Sequence, residues 1–169
     1  MRKGVLSMKT SKIIFGLICG AFIGTANAAD ISIFYAPTCP HCHHAREFIS
    51  STLIYEYDNL NVTEVNVTKN ENKQAFVDAL FKCGYQRGGV PVIVIGDVNK
   101  KDGFKCFQGY ADSMQSQLRE AVEIDLTVEQ KNAAAANKAE MTKDKDAFVA
   151  AHADRKGAIK EIEPQKKNN

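Results

Sequence analysis

The run Ile31-Ser32-Ile33-Phe34-Tyr35 leads within a few residues to Cys39-Pro40-His41-Cys42, and this junction constrains the chain more than any other segment. A β-forming run followed by a proline suited to the first helical position predicts a strand that turns directly into a helix. Cysteines at i and i+3 share one helix face, so their sulfurs can close a small ring and reopen it. A helix N-terminus carries partial positive charge and unsatisfied N–H groups. Both favour a thiolate, the nucleophilic form of cysteine. Cys39, nearest the helix start, is the expected nucleophile. Cys42, one turn in, is the expected resolving cysteine, which attacks a mixed disulfide and releases the partner. A structural disulfide without turnover is the alternative at this pair. His41 sets an imidazole beside Cys39; by stabilising the thiolate it makes the disulfide a stronger oxidant. Its plainer reading is a solvated residue at a helix start.

Residues 1–28 read as a secretory signal peptide. Arg2, Lys3, Lys9 and Lys12 precede an uncharged stretch from Ile13 to Ile23, and Ala26-Asn27-Ala28 supplies a small-x-small cleavage pattern. The stretch is shorter than the roughly 20 apolar residues that span a bilayer. Membrane contact is therefore expected only through the signal peptide before cleavage, with an uncleaved anchor as the alternative. Cys19 falls in the removed segment. The expected destination is the periplasm or another exported location. Losing those four cations takes 22 basic residues to 18 against 20 acidic ones, a net charge near −2 with neutral histidines. That balance does not suggest a nucleic-acid partner, which calls for a basic face. Cys39, Cys42, Cys83 and Cys106 remain, an even number that suits an oxidising compartment.

Beyond the dithiol, strand-like and helix-like segments alternate. Apolar residues at 42, 45, 49 and 53 predict a helix over 40–55. Val62, Val65 and Val67 mark a second strand, and Ala75, Phe76, Ala79 and Leu80 a second helix. Val92-Ile93-Val94-Ile95 is an unbroken apolar run, as expected of a strand buried on both faces. Asp102-Gly103 predicts a turn into a strand over 104–107, giving a hairpin, and 111–124 a closing helix. The order βαβαββα gives an α/β domain over residues 29–126, with a mixed four-stranded sheet flanked by helices. Residues 127–169 form a helical C-terminal extension. Thr127-Val128-Glu129-Gln130 has the form of a capping box, but large apolar residues are sparse after it. A solvated helix or loosely docked arm is the plain reading of that extension. A helix that joins a second copy in a homo-oligomer is the sharper one.

The strand 31–35, the Cys39–Cys42 motif, the βαβαββα order and Gly89-Val90-Pro91 before a buried strand together resemble the thioredoxin superfamily. The resemblance covers about residues 30–124. Pro-His between the cysteines resembles the DsbA-type oxidases. The compact core, Gly109-Tyr110-Ala111-Asp112 and the lack of tryptophan are more similar to a glutaredoxin. The resemblance implies a thioredoxin-like fold and a thiol–disulfide oxidoreductase that needs no cofactor and no metal. Oxidase or isomerase is favoured over reductase because of His41. It further implies that Pro91 is a cis-proline facing the dithiol. Val90 and Pro91 then form the substrate-binding edge, where an extended segment pairs with backbone. An ordinary trans proline at a strand start is the alternative. The implied partners are protein thiol or disulfide substrates and a redox partner that recycles the pair. Cys83 and Cys106 read either as a second, structural disulfide or as two buried free thiols.

Two other chemistries compete for the motif. Cys39-Pro40-His41-Cys42-His43 also has the Cys-x-x-Cys-His form of haem c attachment. There His43 would be one axial ligand and Met114, Met141 or His152 the other. Copper or zinc binding or transfer is the second competitor, because His41, His43 and His44 crowd two soft thiolates. Consecutive helical residues point in different directions, which argues against their converging on one ion.

Overall fold

The computed structural model describes residues 29–97 and 103–162. The signal-peptide reading, Asp102 of the expected turn and the last seven residues lie outside the described residues. Strand β1, Asp30–Tyr35, lies at the centre of the sheet. Its alternation sends Ile31 and Ile33 to one face and Phe34 to the other. It runs parallel to β2, Asn61–Asn66, and antiparallel to β3, Val92–Gly96. Strand β4, Phe104–Gln108, pairs antiparallel with β3 and completes the hairpin. Val92, Ile93, Val94 and Ile95 are all buried, as an apolar run inside a sheet covered on both faces requires. Gly96 leaves β3 at φ +103°, where a Cβ would collide with the Gly103 carbonyl, so the hairpin needs glycine at that exit.

The first helix, α1, spans Pro40–Phe48. It widens into a π-helical segment, Ile49–Leu53, and closes as the short α2, Ile54–Glu56. The wide turn shifts the inward face, so Ile54, Tyr55 and Glu56 are all buried. Helix α3, Lys73–Lys82, covers the other face and lays Phe76, Ala79 and Leu80 over Phe34, Val65, Val92 and Val94. Helix α4, Gln115–Glu123, packs Leu118, Ala121 and Val122 into the main core. It begins later than the sequence suggests: Ala111 is extended and Asp112–Met114 forms a tight turn first. Connected in this order, the elements make a thioredoxin-like α/β fold.

The C-terminal extension departs from the expectation of a solvated or loosely docked arm. Helix α5, Val128–Lys143, starts at the Thr127 capping box and buries Ala134 and Met141 against the domain. Asn137 donates to the Glu56 carbonyl at 3.2 Å and to Asp58 at 2.6 Å. Helix α6, Lys145–Ala151, packs Phe148 and Val149 on the same core, and Arg155 forms an ion pair with Asp58. The chain then adds β5, Ile159–Glu161, parallel to β2. Among the described residues the sheet therefore has five strands, in the order β4-β3-β1-β2-β5, where the sequence reading has four. The docking is hard to see in sequence because it uses small side chains and polar anchors rather than a wide apolar stripe.

Candidate redox site

Site geometry begins with the turn between β1 and α1. Cys39 N–H donates to the Ala36 carbonyl at 3.1 Å, closing that turn. Cys39 is then the N-cap of α1, with extended backbone at φ −89°, ψ 114° and Pro40 behind it in the first turn. Its sulfur accepts from the Cys42 N–H at 3.2 Å, so the nucleophile candidate is itself the capping group. The two cysteines are disulfide-bonded, with Cα atoms 5.2 Å apart. Their exposure differs: Cys42 is 1% exposed, whereas Cys39 is half-buried. An incoming sulfur can reach Cys39 and not Cys42.

Across from Cys39 lies the segment before β3. The Val90–Pro91 peptide bond is cis, and the Val90 carbonyl oxygen is 3.6 Å from Cys39 Sγ. Pro91 is buried and Val90 half-buried. The Pro91 carbonyl accepts from Gly109 N–H at 2.7 Å, which locks this segment to the end of β4. Cys39, Cys42, Val90 and Pro91 thus meet at one end of the sheet, brought from positions 51 residues apart in the case of Cys39 and Val90. Cys83 and Cys106 form a second disulfide, Cα to Cα 5.8 Å, between the end of α3 and β4.

The histidines diverge. His41 is exposed at the helix start. His43 turns back, its Nε2 2.7 Å from the Pro37 carbonyl. His44 lines a groove of about 260 Å³ with Glu47, Tyr110, Asp112 and Gln115. Among the described residues, no three His, Cys, Asp or Glu side chains are grouped to hold a metal. Of the other haem-ligand candidates, Met141 is buried in the main core. His152 stacks on Phe148 with ring centroids 4.1 Å apart.

A polar network one turn past Cys42 has no counterpart in the sequence reading. Arg46 on α1 makes a bidentate pair with Glu64 on β2, at 2.9 and 2.6 Å, and covers the Tyr35 ring at 4.2 Å. Tyr35 donates to Glu161 on β5 at 3.5 Å, and Lys69 pairs with the same carboxylate at 2.9 Å. The hydrogen bond to Glu64 raises the Arg46 pKa, and that from Lys69 lowers the pKa of Glu161. Burial raises the phenol pKa of Tyr35. The network fastens the dithiol helix to β1, β2 and β5. Its signal in the sequence is Glu64, an acid two residues from Val62 on the inward face of β2, where a buried charge needs a partner.

Fold and dithiol together make a thioredoxin-like α/β domain with a Cys-x-x-Cys disulfide at a helix start, an arrangement suited chemically to thiol–disulfide exchange. Residues 31–99 match the family model described as glutaredoxin. No curated protein matches the chain. Similar solved structures include oxidised mitochondrial thioredoxin 3 from Saccharomyces cerevisiae, at 18% identity and TM-score 0.40, covering 57% of this chain and 78% of that one. Chloroplastic thioredoxin z is similar at 19% identity and TM-score 0.40, over 57% of this chain and 79% of its own. A thioredoxin-like protein from Porphyromonas gingivalis follows at 18% identity and TM-score 0.38, over 57% and 76%.

Proposed function

We propose that this chain is an exported thiol–disulfide oxidoreductase that acts on protein thiols through a Cys39 mixed disulfide, as an oxidase or isomerase. One observation carries the reading: a half-buried Cys39 sulfur caps α1 and faces the Val90 carbonyl at 3.6 Å, while Cys42 is sealed off behind it. In the oxidising direction a substrate thiolate attacks Cys39 Sγ. The Cys39–Cys42 bond breaks and Cys42 leaves as a thiolate. A second substrate thiolate then attacks the substrate sulfur of the mixed disulfide and releases the Cys39 thiolate. The substrate loses two electrons and the domain gains them; a redox partner takes them away. In the isomerising direction reduced Cys39 attacks a substrate disulfide, and Cys42 rescues the complex if no substrate thiol resolves it. The helix N-terminus stabilises the Cys39 thiolate as leaving group, and the adjacent His41 imidazole adds to this. An extended substrate segment lying along Val90 brings its sulfur to Cys39 by backbone pairing.

Export is supported by the N-terminal charge and apolar pattern and by a second disulfide that an oxidising compartment preserves. N-terminal sequencing of protein recovered from the periplasm should begin at Ala29; an intact Met1 in the cytosolic fraction contradicts export. The exchange reading is tested by trapping. Cys42→Ser should accumulate covalent adducts with protein thiols that dithiothreitol releases. Cys39→Ser should form none, while retaining its fold because serine also caps helices. Full exchange activity in Cys39→Ser overturns the assignment.

A further inference from the structure

The loop between Cys83 and Val90 presents backbone to Cys39, yet Gln86, Arg87, Gly88 and Gly89 are exposed. It bonds back to α3 near its start, Tyr85 N–H donating to the Leu80 carbonyl at 2.9 Å, and three further ties hold it to one strand. Cys83, the C-cap of α3, is covalently bonded to Cys106 on β4. Two residues along, Gln108 Nε2 donates to the Arg87 carbonyl at 3.0 Å. Next to it, Gly109 N–H donates to the Pro91 carbonyl at 2.7 Å. Strand β4 is in turn paired with β3 along its whole length, Gly96↔Phe104 to Val92↔Gln108. The loop is thus pinned at its start, middle and end to a strand that cannot move independently of the sheet. The covalent tie is the one at the end remote from Val90. It fixes where the loop departs from α3, and so how much slack reaches Val90.

We propose that the Cys83–Cys106 disulfide is a positioning clamp that holds the Val90 backbone ready for an extended protein segment, and takes no part in electron transfer itself. The clamp rests on the exchange reading of Cys39. A small thiol needs only the Cys39 sulfur, whereas a peptide also needs Val90 in place. Freeing the loop therefore weakens peptide recognition and leaves the sulfur chemistry alone.

The test compares the full chain with its Cys83→Ala/Cys106→Ala variant. Reduced, unfolded ribonuclease A serves as the protein substrate and glutathione as the small one. The double variant should raise KM for ribonuclease A about tenfold, the cost of re-ordering about one residue of loop backbone. Its kcat, its rate with glutathione and its Cys39–Cys42 equilibrium constant against glutathione should stay at parental values. An unchanged KM overturns the clamp, and so does an equal loss with both substrates. If the double alanine variant does not fold, Cys83→Ser/Cys106→Ser breaks the same bond with side chains closer in size to cysteine. It should raise the same KM by a similar factor, and parental behaviour overturns the proposal. Failure of the unaltered protein to exchange with either substrate overturns the reading of Cys39 and the clamp with it. Normal parental exchange with no effect of either variant overturns the clamp alone.

Discussion

His41 sits between the two sulfurs in sequence and is exposed at the head of α1, so its influence on the pair is electrostatic rather than steric. Stabilising the Cys39 thiolate stabilises the reduced form and raises the reduction potential. His41→Pro should therefore make the pair more reducing by at least about 30 mV, a tenfold change in the equilibrium constant with glutathione. An unchanged potential removes the role given to this residue. The setting of the pair, with Cys39 at the head of the helix and Cys42 one turn in, is legible in sequence because its causes are local: a strand end, a proline and helical spacing. What no local pattern at this point shows is Val90, whose carbonyl reaches Cys39 from 51 residues away; only the resemblance to the thioredoxin superfamily pointed to it.

The seam between α2 and α4 carries buried polar chemistry. Glu56, 3% exposed, accepts from Arg119 at 2.7 and 2.8 Å. Beside it Tyr57 donates to Glu123 at 2.7 Å. Burial and then that hydrogen bond hold the Tyr57 phenol well above the 10.0 of a solvated one. The unfolded chain releases this proton above about pH 10, while the folded chain keeps it. The stabilisation is thus complete below the unfolded value and is lost as pH rises beyond it. Urea midpoints should fall steeply on the alkaline side. Tyr57→Phe should cost about 2 kcal/mol at neutral pH, for a hydrogen bond to a carboxylate, and should flatten the alkaline fall. The flattening is partial, because burial also raises Tyr35, Tyr85 and Tyr110. A parallel alkaline limb in the variant counts against this account. None of these pairs is visible in sequence: each joins the end of α2 or the residue after it to α4, 63 or 66 residues further on, and charged residues at such positions read as surface.

The C-terminal arm and the thioredoxin-like domain share one core. Met141 is 8% exposed and lies in the same cluster as Leu60, Leu118 and Ile33. Met141→Ala should destabilise the whole chain by about 2–3 kcal/mol, the lower range for emptying a buried methionine site. The loss should appear in one cooperative urea transition followed by tyrosine fluorescence. A solvated or loosely docked arm predicts almost no change. Glu161 on β5 also reaches Tyr35 and Lys69, so β5 joins the network that holds α1.

By itself the chain's sequence determined the strand-to-helix dithiol, the doubly buried third strand and the capped start of α5. In each case the cause lies within a few consecutive residues: backbone preference, apolar period or a reciprocal cap. Only the tertiary structure decided the Cys83–Cys106 pairing and the fate of the arm, because each joins segments far apart in the chain. Ile159–Glu161 is too short to show a strand period, and it becomes a strand because β2 offers an edge to pair with.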